Sequence, residues 1–309
     1  MNVHERLFSK IGFNYLTLGI LALICQIIVL NIVNFMNPEY LSDFNIVTCI
    51  SSFCNYILPF PIFYLLMKKI SATEPEKRSL NARTFILYLG ITFTLMWIGN
   101  LIGLAITELL RSAMQNDIAN PVHQLINSTD IWLNLFLISI IAPIFEEIMF
   151  RKLIIDRTIK YGAKVSIILS AVIFALFHGN LNQFFYTLLM GGFFAYIYIK
   201  TGKITYTIIL HAIINLMGSV VSLIIASSVE NIQASPNPLD GAIIIAYFIV
   251  LFTFIVIGVY GLSNFKKARF NGSKTEIGLK TPFKTVFLNY GMVFFILFFI
   301  FEMVYQVLG

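Results

Sequence analysis

Glu146, Glu147 and Arg151 lie inside the apolar stretch Ile131–Tyr161. A charge at the middle of a bilayer costs roughly 2.5 to 3.5 kcal/mol on insertion scales, so each of these side chains needs a partner or a function. In a helix Glu147 and Arg151 are four positions apart with the acid first, which favours an ion pair on one face. Glu146 points about 100° away and is left free. A structural ion pair between transmembrane helices explains the other two residues but leaves Glu146 unexplained.

Two histidines and an asparagine could act together with Glu146. His178 ends a short apolar run four residues after Phe174, and His211 and Asn215 are one helical turn apart. Three uses are open. Glu146 can act as general base on a water held partly by His178, while His211 and Asn215 donate to an oxyanion. Glu146, His178 and His211 can instead bind zinc, or the same groups can form a proton or ion pathway.

The zinc alternative lacks its usual sequence signature, because no helix carries two histidines that flank a glutamate. Taken singly, each histidine could also be a packing or hydrogen-bonding residue. The His211-x-x-x-Asn215 spacing could likewise be one hydrogen-bonding face between helices. The combination with Glu146 favours a functional site.

The composition excludes a soluble domain, since 58% of the 309 residues are hydrophobic and only 12% are charged. Apolar runs of about the 20 residues that a spanning helix needs recur along the chain. The nine runs are Ile11–Phe35, Phe44–Met67, Thr84–Thr107, Ile131–Arg157, Val165–His178, Gln183–Ile199, Ile204–Ala226, Gly241–Asn264 and Thr285–Leu308. The sequence therefore predicts an all-α polytopic membrane helical bundle of eight to nine transmembrane helices.

The distribution of charge agrees with nine spans. Of the 21 Lys and Arg residues, 20 lie on alternate connections and only Arg111 lies on the other side. The positive-inside rule then predicts a cytoplasmic N-terminus and an external C-terminus. The net charge of +6 is explained by cytoplasmic loops that face anionic lipid, and it is no argument for nucleic-acid binding. Basic loops after the fourth and sixth runs favour a cavity that opens to the cytoplasm.

Depth along the helices indicates that the polar residues can meet. At 1.5 Å per residue from the basic residues of the inner boundary, Glu146 lies roughly 16 to 21 Å deep and His178 about 21 Å. His211 and Asn215 lie about 12 and 18 Å deep. All four depths are near the middle of a hydrocarbon layer about 30 Å thick, so one site can hold them all.

Other residues predict how the helices are arranged around that site. Pro143 removes a backbone donor, so it should bend its helix and leave a carbonyl without its usual partner. Gly191 and Gly192 allow close approach between helices. The mixed-charge loop Lys68–Arg83 is expected to be a solvated surface, and His123 in the outer connection is expected to be exposed and inert.

The three motifs, in this order, resemble those of the CPBP family of intramembrane proteases. The residues concerned are Glu146-Glu147-x-x-x-Arg151, Phe174-x-x-x-His178 and His211-x-x-x-Asn215. The family includes the CAAX prenyl endopeptidases and the bacterial bacteriocin-processing or Abi proteins. The resemblance covers about Ile131–Ala226, a third of the chain. It implies an all-helical membrane endopeptidase whose substrate enters a cavity in the bilayer.

By this resemblance, Glu146 corresponds to the water-activating glutamate and His178 to its partner. His211 and Asn215 correspond to the oxyanion-stabilising pair, and Glu147, Arg151 and Phe174 are supporting residues. The family has been described both as metal-dependent and as glutamate-dependent, so zinc held by Glu146, His178 and His211 stays an open alternative. Because asparagine is an uncommon zinc ligand and a natural donor, direct action by the glutamate is favoured.

We therefore expect one membrane domain over residues 1–309, with a catalytic core at about 131–227 and scaffold helices at 1–130 and 228–309. The expected activity is cleavage of a membrane-associated peptide or protein in a bacterial plasma membrane, for peptide maturation, bacteriocin immunity or regulation. The alternative is a noncatalytic scaffold that binds a partner such as a sensor kinase. The substrate and the oligomeric state do not follow from the sequence.

Overall fold

The structure is a computed structural model that describes residues 1–115, 118, 120–235, 237–265 and 277–308. Within these ranges it contains helices and no strand, which confirms the all-α prediction. The helices are α1 (Val3–Met36), α2 (Phe44–Lys68), α3 (Ala82–Met114), α4 (Pro121–Ser128), α5 (Ile131–Tyr161), α6 (Ala163–Phe177), α7 (Leu181–Thr201), α8 (Ile204–Ala234), α9 (Pro238–Phe265), α10 (Pro282–Phe287) and α11 (Tyr290–Leu308). A 3₁₀ turn at Pro38–Ser42 joins α1 to α2.

All nine predicted apolar runs lie in helices, but seven of the described helices, rather than eight or nine, are long and apolar enough to cross a membrane unaided. The two exceptions are α6 and α7. Helix α6 has 15 residues, about 22 Å at 1.5 Å per residue, which is shorter than a hydrocarbon layer. Helix α7 begins with polar residues, including Asn182 and Gln183, and packs between α6 and α3. Burial inside the bundle relieves both helices of the need to face lipid.

Four π-helical turns widen the long helices α2, α5 and α8. They lie at Phe53–Ile57, Asn134–Ile141, Ile148–Lys152 and Met217–Val221. Pro143 accounts for the second, because it has no N–H to continue an α-helical ladder. The N–H of Ala142 donates to the carbonyl of Leu137, five residues back instead of four. Such turns recur at functional sites, and here they re-aim the side chains of α5.

Close helix packing holds α6, α7 and α3 together. Gly191 faces α6, where an added Cβ would lie 3.0 Å from Cδ1 of Phe174, as its predicted role requires. Gly99 of α3 lies against the backbone of Tyr186 in α7, where an added Cβ would lie 2.3 Å from its Cα. These contacts fix the position of α7 along the bundle axis relative to α3 and α6.

The predicted basic connections meet at one end of the bundle, called the basic end below. Lys152 pairs with Glu74 at 2.5 Å, and Nζ of Lys203 donates to Ser79 at 2.7 Å. The loop Lys68–Arg83 is mostly exposed, but the backbone N–H of Arg78 also donates to the carbonyl of Thr201 at 2.7 Å. The loop is therefore attached to α5, α7 and α8 as well as solvated.

The opposite end of the bundle, called the α4 end below, carries α4. There the side chain of Asn45 donates to Asp130 at 2.8 Å, which ties the start of α2 to the start of α5. The charge distribution predicts that the basic end faces the cytoplasm, and this orientation stays a prediction. The division into a catalytic core and scaffold helices also stays a prediction. Within the last basic connection, Lys266 to Lys274 lie outside the described residues.

Candidate active site

Glu147 and Arg151 form the predicted ion pair, with Nε of Arg151 3.2 Å from Oε2 of Glu147 and both side chains 0% exposed. The guanidinium lies 4.0 Å from the ring centroid of Phe174 and 5.7 Å from that of Phe194. Its two terminal nitrogens have no hydrogen-bond partner in the described part of the chain. Carboxylate and aromatic faces together therefore compensate this buried charge.

Glu146 lies on the neighbouring face of α5 and points into a cavity, as predicted, but it is not free. Its Oε1 accepts a hydrogen bond from the hydroxyl of Tyr56 at 2.7 Å. Its Oε2 lies 3.6 Å from Nε2 of His211. One carboxylate oxygen is thus held by α2, while the other faces the imidazole of α8.

His211 lies between the two glutamates. Its Nδ1–H donates to Oε1 of Glu147 at 2.9 Å, which orients the ring and directs Nε2 towards Glu146. Because Glu147 is also held by Arg151, the chain Arg151, Glu147, His211 is a buried relay of charge-assisted contacts. Glu147 therefore positions His211 as well as neutralising Arg151.

His178 caps the end of α6. Its Nδ1–H donates to the carbonyl of Phe174, one turn earlier, at 2.7 Å, and its ring packs edge-on against the Phe174 ring. This hydrogen bond fixes the tautomer, because the donating nitrogen must carry the proton and Nε2 is left as an acceptor. Phe174 therefore supports both His178 and Arg151.

Asn215 is bound to the backbone of α5. Its Nδ2 donates to the carbonyl of Ile138 at 2.9 Å. In the five-residue register of this turn, the donor for Ile138 would be the N–H at position 143, and Pro143 has none. The side chain of Asn215 supplies the missing donor. The sequence predicted that Pro143 would leave a carbonyl without its helical partner, and the Ile138 carbonyl is that group.

The four predicted catalytic residues, Glu146, His178, His211 and Asn215, line one cavity of about 340 Å³, called the main cavity below. Helices α2, α4, α5, α7 and α8 form its walls, together with the end of α6. Glu147, Arg151 and Phe174 stand behind this wall and do not line it. Geometry thus divides the seven predicted residues into four that face the cavity and three that hold them.

Several residues of the main cavity were not predicted, including Tyr56, Gln183, Tyr186 and Thr187. Gln183 carries a detectable signal, because it continues the polar turn that follows His178. No sequence signal marks Tyr56, because it is one of 14 tyrosines in the chain and lies 90 residues before its partner Glu146.

Zinc binding would require at least three side chains with ligand atoms grouped around one point. Among the described residues, no three His, Cys, Asp or Glu side chains are grouped so that they could hold a metal ion. Glu146, His178 and His211 therefore do not fit a zinc site in this arrangement, and no step below uses a metal.

Comparison with known families finds that residues 128–217 match the family described as type II CAAX prenyl endopeptidase, Rce1-like. The matched segment contains all seven predicted site residues, and it confirms the resemblance drawn from the three motifs. No curated protein and no solved structure matches the chain. Tyr56 and α4 lie outside the matched segment although both contribute to the main cavity.

Proposed function

We propose that this chain, a CAAX-type intramembrane protease by its match over residues 128–217, hydrolyses peptide bonds with a water molecule that Glu146 activates. One observation carries the proposal. Glu146, His178, His211 and Asn215 come from two helices and the end of a third, yet they surround one cavity deep in the bundle. A general base, its partner and two oxyanion donors are the groups that hydrolysis of an amide requires.

The first step is attack by water. Tyr56 holds Oε1 of Glu146, so Oε2 is the oxygen available as base. Nε2 of His178 is an acceptor and can take the second hydrogen bond of the same water. Glu146 removes one proton while the water oxygen bonds to the carbonyl carbon, which gives a tetrahedral oxyanion.

The oxyanion needs donors that are already in place. Asn215 uses one amide hydrogen on Ile138 and keeps the other for the cavity. The Nδ1–H of His211 is held by Glu147, so Nε2 is the ring atom that faces Glu146 and the cavity. In the proposed step Nε2 carries a proton and donates a hydrogen bond to the oxyanion. Glu146 then transfers its proton to the leaving nitrogen, and the C–N bond breaks to give a carboxylic acid and an amine, which become a carboxylate and an ammonium group when a proton passes between them.

The proposed setting is a bacterial plasma membrane. Substrates in this setting are leader peptides, signalling peptides or membrane proteins, and the processes are peptide maturation, bacteriocin immunity or regulation of a surface sensor. The motifs support this setting, and so does the high content of Ile, Asn, Lys and Phe, because AT-rich codons encode these residues and AT-rich genomes are common among bacteria.

The test compares the cell-associated and secreted peptides of a deletion strain that expresses wild type, Glu146→Gln or His178→Ala at matched membrane levels. Glu108→Gln is the matched control, because Glu108 is exposed and pairs only at the surface of α3. We expect loss of a general base to lower the cleavage rate by roughly 10²- to 10⁴-fold, while the control cleaves like wild type.

A product that persists unchanged in both Glu146→Gln and His178→Ala would refute the catalytic assignment. If Glu146→Gln abolishes cleavage but keeps binding to a co-purifying partner, catalysis is separated from scaffolding. If the folded variant loses partner binding and no product depends on wild type, the noncatalytic scaffold is the better description.

A further inference from the structure

A second cavity continues the main cavity. It has about 260 Å³, lies between α3, α4, α7 and α8, and is called the side cavity below. Both cavities are lined by Val122, Ile138, Gln183, Tyr186 and Asn215. Asn215 therefore stands where the two spaces meet, one turn from His211. The two cavities are adjacent along these residues, and together they are called the cleft below.

The cleft lies towards the α4 end of the bundle. Its lining residues on α2 run from Thr48 to Tyr56 and those on α7 from Asn182 to Met190, which is the half of each helix nearer to α4. Helix α4 itself lines both cavities, through Val122 and its neighbours.

Towards the basic end the cleft is closed by apolar side chains. Met149 and Phe150 form its floor, and below them Leu153, Ile154 and Phe174 belong to the same tightly buried core. No space in this core is available for a polar chain to pass. The geometry therefore differs from the opening that the basic loops predicted.

Apart from Glu146, His178, His211 and His123, the polar groups of the cleft are uncharged hydroxyls and amides. On α2, Thr48, Ser52 and Asn55 are spaced along one helical face that lines the main cavity, and Asn100 and Asn182 line the side cavity. Such groups hydrogen-bond to peptide N–H and C=O groups.

Glu146 is the only Asp, Glu, Lys or Arg in either lining, within the described part of the chain. An acidic substrate side chain would therefore find no Lys or Arg in the lining, and a basic one would find only Glu146, the proposed base.

We propose that the cleft binds an extended peptide segment that enters from the α4 end and carries uncharged side chains around the cleaved bond. This deepens the proposed function and rests on it for the cleavage step. The two cavities hold the substrate on either side of that bond, which crosses near Asn215 and Glu146.

The direction of entry is tested by cysteine labelling in intact cells, starting from a background with Cys25, Cys49 and Cys54 replaced by alanine. Single cysteines are placed in the cleft by Ser51→Cys and Asn100→Cys. Gln124→Cys on α4 and Ala72→Cys in the basic-end loop are exposed controls for the two ends. A membrane-impermeant maleimide should label both cleft cysteines from the same side as Gln124→Cys. Labelling only from the side of Ala72→Cys, or no labelling of either cleft cysteine, overturns the proposal.

The substrate class is tested on purified protein with two mixtures of synthetic peptides. One contains random uncharged polar peptides, and the other contains the same peptides farnesylated at a terminal cysteine. Mass spectrometry measures cleavage by wild type. In Glu146→Gln variants that carry Ser51→Cys or Asn100→Cys, slower maleimide labelling measures occupancy of each cavity without cleavage.

We expect the unlipidated mixture to be cut and to protect both cysteines. Cleavage or protection by the farnesylated mixture alone overturns the substrate class while leaving the protease function intact. Protection of both cysteines by unlipidated peptides that wild type never cuts would leave the cleft standing and refute the proposed function. Absence of protection by unlipidated peptides overturns the cleft.

Discussion

Tyr56 donates its hydroxyl hydrogen bond to Glu146 at 2.7 Å, from a helix that lies outside the family-matched segment. The contact joins α2 to the proposed base on α5. It also selects which carboxylate oxygen remains available, because the other already accepts a hydrogen bond.

Tyr56→Phe removes this donor and keeps the ring. A hydrogen bond to a charged group contributes about 1.5–3 kcal/mol, so we expect kcat to fall by roughly 10- to 100-fold with little change in KM. Tyr64→Phe, on the lipid-exposed part of the same helix, is the matched control. Equal kinetics for the two variants would show that Tyr56 does not position Glu146.

Arg151→Met should destabilise the protein strongly, by about 3–5 kcal/mol, because the buried Glu147 loses its cationic partner, although it keeps the hydrogen bond from His211. Thermal unfolding of the purified protein measures this loss. The double variant Glu147→Gln with Arg151→Met should recover most of the stability but not the activity, since His211 no longer has its carboxylate partner. A double variant as unstable as Arg151→Met, or one as active as wild type, contradicts this division of roles.

Asn215 and Pro143 should be coupled in stability. In the Pro143→Ala background the new N–H can satisfy the Ile138 carbonyl, so the stability lost on Asn215→Ala should shrink by about 1 kcal/mol. A double-mutant cycle of unfolding free energies measures the coupling. Activity should remain low for Asn215→Ala in both backgrounds. Strictly additive stabilities would mean that Asn215 does not replace the donor missing at Pro143.

Metal chelation should leave cleavage unchanged, because Glu146, His178 and His211 are not grouped as metal ligands. Activity is measured before and after chelator treatment, with metal content determined by mass spectrometry on the same samples. Loss of activity that returns when stoichiometric zinc is added back would instead establish a metal site that forms in another conformation.

Gly99→Ala should lower both stability and activity. The added Cβ would lie 2.3 Å from Cα of Tyr186, so α7 must shift together with the cavity wall that it forms. Gly241→Ala on α9 is a matched control, because its added Cβ meets nothing within 4 Å and it lines neither cavity. Both substitutions raise helix propensity by about 1 kcal/mol, so only steric contact distinguishes them. Unfolding temperature and kcat/KM are measured for both variants, and both should be lower for Gly99→Ala than for the control. Similar losses in the two variants would contradict the steric argument.

Local spacing predicted the parts of the site that lie within one helix. The pair of Glu147 with Arg151 and the turn from Phe174 to His178 follow from a period of 3.6 residues, and the structure contains both. The carbonyl left by Pro143 was also predicted, because proline chemistry is local.

Contacts between helices could not be derived in the same way. The partner of the Ile138 carbonyl depends on a π-helical register and on the rotation of α8, neither of which periodicity fixes. Likewise, similar depths indicate only that Glu146 and His211 can meet. They do not say that His211 binds Glu147 through one ring nitrogen and faces Glu146 through the other.

The relay from Arg151 through Glu147 to His211 has a consequence for biosynthesis, because His211 is made 64 residues after Glu147. When α5 leaves the ribosome, it carries Glu146, Glu147 and Arg151 in its apolar part, together with an unpaired carbonyl. Glu147 and Arg151 can pair within α5 and Tyr56 has been made, but His211 and Asn215 have not. Each charge costs roughly 2.5 to 3.5 kcal/mol in lipid, so α5 should insert weakly at first. A chain that stops at Thr201 should hold α5 in the bilayer less firmly than one that stops at Ala234, which glycosylation mapping of truncated chains can measure. Assembly of the site and retention of its central helix in the membrane are then a single event.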